Sequence, residues 1–309
     1  MITKQEIQYD GYGKCLEISN GIVRLVVTTD FGPRIIRYSF IDGENMFYEN
    51  KDRSFFADGD EFEKVYGKGS VWYIYGGHRL WTSPEDYPRT YYPDNEPVDV
   101  NLTENGAIFT PPMQKWNQYQ YAFDISLAED STEVTVKHYL TNHGAWDVTL
   151  AIWPVTVLSP GGTEIVPQPV RKTYCLPNRN MAFWDHTVLN DDRLTWMKRY
   201  ILLRQDKSAT GNVKFGINSQ HGFAMYFNHG DMFLKQFEPN LNGTYPDGGM
   251  SFATYTNPMF LEMESLSELQ SVAPGATIEH TEHWSLHKTD MPELTDDAID
   301  AFKKQYIED

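Results

Sequence analysis

Apolar and polar residues alternate with a period of two over most of this chain, the pattern of strands with one face in a core. Alternating segments run over 22–27, 119–127, 133–140, 146–158, 259–264 and 272–286. Turn pairs punctuate them: Asn20-Gly21, Asp42-Gly43, Asn105-Gly106, Pro274-Gly275. A second short strand precedes Asp42-Gly43 and a third follows it. The 98–110 segment reads as a hairpin turning at Asn105-Gly106. Strand after strand with short polar turns predicts an antiparallel sheet. The 194–206 segment, LTWMKRYILLRQD, fits a short helix or a strand equally. Residues 51–70 are charged and irregular, and 159–194 are rich in Pro, Gly and Asn. The tail alone has a helical period, with Leu294, Ile299, Phe302 and Tyr306 near one side, predicting a helix over about 292–307. With no linker and no repeat, residues 1–309 read as one all-β domain closed by that helix.

One stretch breaks the pattern. Residues 75–98, YGGHRLWTSPEDYPRTYYPDNEPV, gather glycines, prolines, aromatics, arginines, a histidine and carboxylates. Proline opposes a helix, and this polarity opposes a core strand, so the stretch reads as a long ordered loop. Aromatic rings stack on the C–H face of a sugar, while Arg and carboxylates bond its hydroxyls. His78, Arg79 and Trp81 are therefore candidate ligand residues. The plainer reading is a surface loop held by its own Arg–carboxylate pairs.

A second stretch is FLEMESL, 260–266. On a strand Glu262 and Glu264 share one face. Adjacent carboxylates repel, and repulsion with partial burial raises one pKa, which suits a general base or acid. The alternative is a face that meets water. The preceding loop adds Lys235, Tyr245 and Asp247 as groups able to bond hydroxyls. Arg34 and Arg37 have opposite strand parity and read mainly as surface residues. His280, His283 and His287 are close in sequence, but His280 faces away from the other two; they read as solvent-facing, with no metal site. No phosphate loop, GxSxG, HExxH or EF-hand pattern occurs, and no cofactor is expected.

Composition narrows the partners. The net charge is 26 − 43 = −17, which opposes binding to nucleic acid and to anionic membranes. A chain of 309 residues can bury a large core without metals or disulfides. Its two cysteines, Cys15 and Cys175, read as ordinary thiols. The N-terminus lacks a basic-then-apolar leader, and no apolar run is long enough to span a bilayer, so the expected location is the cytoplasm. The expected partner is a small or oligomeric carbohydrate; the oligomeric state is left open.

Three features taken together resemble the galactose mutarotase-like (aldose 1-epimerase) superfamily. They are the opening pattern DFGPRIIRYSFIDGENMFYE, the GGHRLW segment, and the closing segment FLEMESLSELQSVAPGATIEHTEHWSL. Their order covers most of residues 15–288. The resemblance implies a β supersandwich with a sugar site on one sheet face. It also implies a Glu that takes the anomeric proton and a His that protonates the ring oxygen, so that the ring opens and recloses. The Glu falls on Glu262 or Glu264, the binding arginine on Arg79, and a hydroxyl ligand on Asp247. The family's catalytic His is replaced by Trp153, which can stack on a sugar but is no useful proton donor. His78 is then the candidate acid, with His143 a second option. The implied activity is interconversion of sugar anomers. The alternative is a non-catalytic carbohydrate-binding protein that keeps the aromatic and Arg site. Glycoside hydrolysis fits less well, because two carboxylates two residues apart on a strand stand side by side, about 6–7 Å apart at Cα.

Overall fold

The computed structural model describes residues 1–307. Two large antiparallel sheets, with a small two-stranded one formed by Phe56–Ala57 and Trp72–Tyr73, make up the β-structure of these residues. The first has 11 strands, running Thr3–Tyr9, Gly13–Ser19, Val23–Thr28, Ile35–Phe40, Gly77–Ser83, Val148–Leu158, Leu261–Ser265, Phe252–Thr256, Val213–Ile217, Met181–Phe183, with Gln270–Val272 paired to the side of Val148–Leu158. The second has 10, running Leu194–Trp196, Tyr200–Arg204, Thr163–Pro167, Phe223–Asn228, Asp231–Phe237, Thr277–Lys288, Val134–Asn142, Tyr119–Leu127, Gly106–Thr110, Asp99–Leu102. Leu80, Ile152, Met263 and Phe215 of the first sheet share one core with Phe123, Val136, Phe233 and Trp284 of the second. The alternating pattern implies the antiparallel strands, and the resemblance implies their supersandwich arrangement.

The central strands of the first sheet are buried on both faces. All seven residues of Gly77–Ser83 are buried, as are nine successive residues of Val148–Leu158. The inner face meets the second sheet. The outer face carries its own aromatic cluster, including Trp72, Trp81, Trp153 and Phe260. Loops and the short helix Asp60–Tyr66, which buries Phe62 and Tyr66, cover it. Two-sided burial is why these strands lose polar alternation.

Several expectations need correction. The 75–98 stretch is not all loop: its Gly77–Ser83 part is a central strand. Gly76 and Gly77 have φ of 95° and 62°, and a Cβ would lie 2.1 Å from the Tyr48 carbonyl oxygen at Gly76 and 2.1 Å from that of Ile35 at Gly77. Only glycine admits that approach. The irregular 51–70 stretch contains the Asp60–Tyr66 helix, and the ambiguous 194–206 segment is two strands. The turn at Pro274-Gly275 exists, but its arms are no hairpin: Gln270–Val272 pairs with Val148–Leu150, while Thr277–Lys288 lies in the other sheet. Nothing beyond isolated bridges at Phe47 and Glu49 follows the Asp42-Gly43 turn.

The C-terminal helix is shorter than expected, Asp296–Lys303, capped by Thr295 Oγ1, which accepts from the Ala298 amide at 3.2 Å. Ile299 and Phe302 pack on the outer face of the second sheet beside Phe223 and Phe227, while Leu294 precedes the helix and is exposed. No helix among the described residues is long and apolar enough to cross a membrane.

Candidate functional site

Strand register builds the site as a grid on the outer face of the first sheet. Trp81 lies opposite Trp153, and Arg79 opposite Val155. Val155 in turn faces Glu264, and Val157 faces Glu262. On the next strand Glu262 pairs with Tyr255 and Glu264 with Ala253; beyond that Tyr255 pairs with Lys214 and Ala253 with Gly216. Residues two apart therefore stand side by side on one surface. Over this grid lies a cleft of ≈ 290 Å³, walled by Trp72, Trp81, Tyr91, Trp153, Trp184 and Tyr255. Arg79, Glu262, Lys214, Glu85, Asn212 and His186 supply its polar groups.

The charges are paired. Arg79 Nη1 donates to Glu262 Oε1 at 2.9 Å, and its guanidinium lies 4.0 Å from the Trp81 ring centre. Trp153 Nε1 donates to Glu264 Oε2 at 3.0 Å. Lys214 Nζ lies 3.4 Å from the same oxygen, between the Trp153 and Trp184 rings. Glu264 Oε1 is buried with no partner. Burial raises Glu264 to about 7; Lys214 opposes the rise and Glu262 adds to it. Glu264 is therefore harder to ionise than an ordinary glutamate, even with the Lys214 ammonium beside it. Burial would pull Lys214 down, but Glu264 and its neighbours outweigh it and hold the ammonium above its ordinary value.

The sequence-derived residues divide between the two faces. Arg79, Trp81, Trp153 and Glu262 line the cleft, and Glu264 sits just beneath it, 1% exposed. Asp247 is exposed in a left-handed turn near the rim, close enough to feel the Lys214 charge. His78 and Lys235 are elsewhere. His78 lies on the inner face of its strand, 0% exposed, because one residue's shift along a strand reverses direction. The reading of His78 as the acid at a sugar site is thus corrected. His143 is exposed on a turn.

His78 belongs to an interior network. Its Nδ1 pairs with Thr156 Oγ1 at 2.8 Å and its Nε2 with His138 Nε2 at 2.7 Å. His138 Nδ1 donates to the His280 carbonyl at 2.9 Å, which leaves Nε2 to accept from His78. Lys235 Nζ donates to Glu282 Oε1 at 2.8 Å and to the Met263 carbonyl at 3.2 Å. His280, expected at the surface, points inward, and its Nε2 pairs with Ser265 Oγ at 2.8 Å. Burial lowers His138 to about 4, His280 to about 3, and His78 well below its ordinary value, so all three are neutral at pH 7. His78, His138 and Glu282 offer donor atoms within 4.8 Å of one another. The His–His contact is a hydrogen bond, however, and the Lys235 ammonium already supplies Glu282 with the positive charge that a metal would bring. This network braces the strands bearing Arg79, Trp153 and Glu262 from behind.

Sequence reasoning missed Lys214, Trp184, His186 and Tyr255. Tyr255 and Lys214 share the Glu262 row: Tyr255 reaches it across the short hairpin into Leu261–Ser265, and Lys214 by pairing with Tyr255 from 41 residues away. No local motif marks them.

No family model matches the chain, and no curated protein matches it. Solved structures do. The chain is similar to a galactose mutarotase-like protein from Lactobacillus casei, TM-score 0.57 and 11% identity over 88% of this chain and 100% of that one. It is also similar to a putative aldose 1-epimerase from Escherichia coli K12, TM-score 0.54 and 13% identity over 93% and 100%. A TPR-domain containing protein from Parabacteroides distasonis matches with TM-score 0.62 and 12% identity over 90% of this chain. The chain spans about half of that protein, 48%. At these identities the likeness is one of fold, and the fold is galactose mutarotase-like.

Proposed function

We propose that the cleft binds a carbohydrate and interconverts its anomers, with Glu262 as the base. The observation that carries this reading is the composition of one surface: aromatic faces on the walls and a hydrogen-bonded Arg79–Glu262 pair on the floor. Rings supply area for the apolar face of a sugar, and the paired charges fix its hydroxyls. Glu262 takes the anomeric proton. His186, the imidazole that does line the cleft, returns a proton to the ring oxygen. Lys214 stabilises negative charge that develops as the ring opens. Glu264 sits one row away, its carboxyl held above the ordinary range by burial.

A specific observation also favours the binding-only reading. Trp153 and Lys214 both hold Glu264, and the one imidazole at the cleft stands at its exposed rim. NMR of anomer exchange in freshly dissolved α-glucose, α-galactose and other aldoses separates the two. Acceleration over buffer that falls roughly 10²–10⁴-fold in Glu262→Gln supports catalysis. Line broadening of one sugar without acceleration, weakened in Trp81→Ala and Arg79→Ala, supports binding alone. Neither effect with any aldose or glycan overturns both.

A further inference from the structure

A second cleft lies on the same sheet face, in register with the first. It measures ≈ 310 Å³ and is lined by Asn178, Asn180, Asn218, Gln220, Tyr245 and Ser251 among others. The ladder shows how the two are related. Lys214 and Tyr255 belong to the first cleft, and two residues along their strands stand Gly216 and Ala253, which pair with each other. Gly216 also pairs with Ala182. Just past the ends of these strands, at Ile217 and Phe252, Asn218 and Ser251 line the second cleft. There the Asn180 amide donates to Asn218 Oδ1 at 2.8 Å, and the Ser251 amide to the Ile217 carbonyl at 3.2 Å. Four residues of strand separate the clefts, about 13 Å, and the floor between them is made of small residues.

That floor is closed tightly. A Cβ on Gly216 would lie 2.6 Å from Met250 Cγ, so the glycine lets Met250 lie flat between the clefts. The exposed turn of Asp247 and Gly248, both with positive φ, stands over this junction. Asn180 Nδ2 donates to the Gly248 carbonyl and ties the turn to the second cleft.

The lining of the second cleft is unlike that of the first. Five of its side chains, Asn178, Asn180, Asn218, Gln220 and Asn240, are amides, which both donate and accept. Part of this capacity braces the loops: Gln220 Oε1 accepts from the Arg171 amide, and Asn178 Nδ2 donates to the Arg171 carbonyl. Among the described residues, the other end of each amide, Gln220 Nε2 and Asn178 Oδ1, takes part in no hydrogen bond, and neither does Asn180 Oδ1. Apart from the exposed Arg171 side chain the polar lining is uncharged, and uncharged donors and acceptors match hydroxyls better than they match an ionic or apolar ligand.

Resting on the carbohydrate reading of the first cleft, we propose that the ligand is an oligosaccharide. One unit occupies the aromatic cleft, and further units cross the Asp247 turn into the amide-lined cleft. A monosaccharide fills the first cleft alone and leaves the second without a role.

Isothermal calorimetry with gluco-, galacto- and manno-oligosaccharide ladders, from one unit to four, tests this. In at least one ladder Kd falls tenfold or more between one unit and three. The Asn178→Ala/Gln220→Ala double variant removes that gain while its monosaccharide Kd stays at the wild-type value, which also shows that it is folded. Gln220→Ala alone, which removes one of the amide groups assigned to the ligand, is the second variant if the double variant does not fold. Monosaccharide binding with Kd independent of chain length overturns the inference and leaves the proposed function standing. A length gain that survives both variants also overturns it. Absence of heat with every member overturns the carbohydrate reading and this inference with it.

Discussion

Glu164→Gln is predicted to stabilise the protein, and increasingly so as pH rises. Glu164 is 0% exposed between the sheets. Burial raises its carboxyl from 4.5 to about 8; Thr254 opposes the rise, Glu264 adds to it, and Lys235 opposes it. Geometry points the same way. Thr254 Oγ1 lies 2.7 Å from Glu164 Oε2 and 2.9 Å from the Glu262 carbonyl. A hydroxyl has one proton, so both contacts are satisfied only if Glu164 donates to Thr254 and Thr254 donates to Glu262. A glutamine amide preserves that chain and cannot ionise.

A carboxyl whose pKa is higher in the folded state stabilises fully below the unfolded value and loses that contribution as pH rises through the folded one. Here the loss runs from about pH 4.5 to about pH 8. At about 1.4 kcal/mol per unit, the whole span is worth about 5 kcal/mol. Urea unfolding of wild type and variant at pH 5, 6, 7 and 8 reads it. The two should agree within about 1 kcal/mol at pH 5, with the variant's advantage growing by roughly 1.4 kcal/mol per unit to a plateau above pH 8. A difference independent of pH, or a variant that loses ground as pH rises, would refute the protonated, hydrogen-bonded carboxyl.

Two further outcomes follow from the same interior. Lys235→Met strands the fully buried Glu282 carboxylate with only Ser265 and Trp284 as donors, and should cost about 3–5 kcal/mol in urea unfolding; adding Glu282→Gln should restore part of that, and an additive double variant would show that the pair is not coupled. Trp153→Phe removes a donor to the Glu264 carboxylate, so a ¹³C-carboxyl NMR titration should move the Glu264 midpoint upward from about 7.

The fold was legible because the chain repeats one signal. Period-two alternation with polar turns at Glu129-Asp130-Ser131 and Asn142-His143-Gly144 located the Tyr119–Leu127, Val134–Asn142 and Val148–Leu158 strands to within two residues at each end. Turn chemistry is local and says where the chain reverses, but not with what it pairs. At Pro274-Gly275 that limit shows: the turn is real, and its arms pair with strands of different sheets. The short strands Leu194–Trp196 and Tyr200–Arg204 were ambiguous because a run of so few residues carries neither period clearly.

The site was half legible, and one parity rule separates the halves. Glu262 and Glu264 were placed on one face because FLEMESL was read as a strand, and the structure keeps them together. GHRLWTS was read as loop, where parity means nothing, so His78, Arg79 and Trp81 were grouped. Read as a strand, the same letters put Arg79 and Trp81 on one face and His78 with Leu80 on the other, which is where they are. The signal was available: Gly76-Gly77 delivers a close backbone approach, and five residues without Gly or Pro follow before Ser83-Pro84. Its polar letters hid it, because Arg79 is buried by pairing with Glu262 and His78 by pairing with His138 and Thr156. A polar residue can occupy a two-sided core strand when its partner comes from a distant strand, 183 residues away for Glu262 and 60 for His138. That partner is what a single sequence does not display, and it is what allows His78, Arg79 and Trp81 to be divided between the two faces of a buried strand.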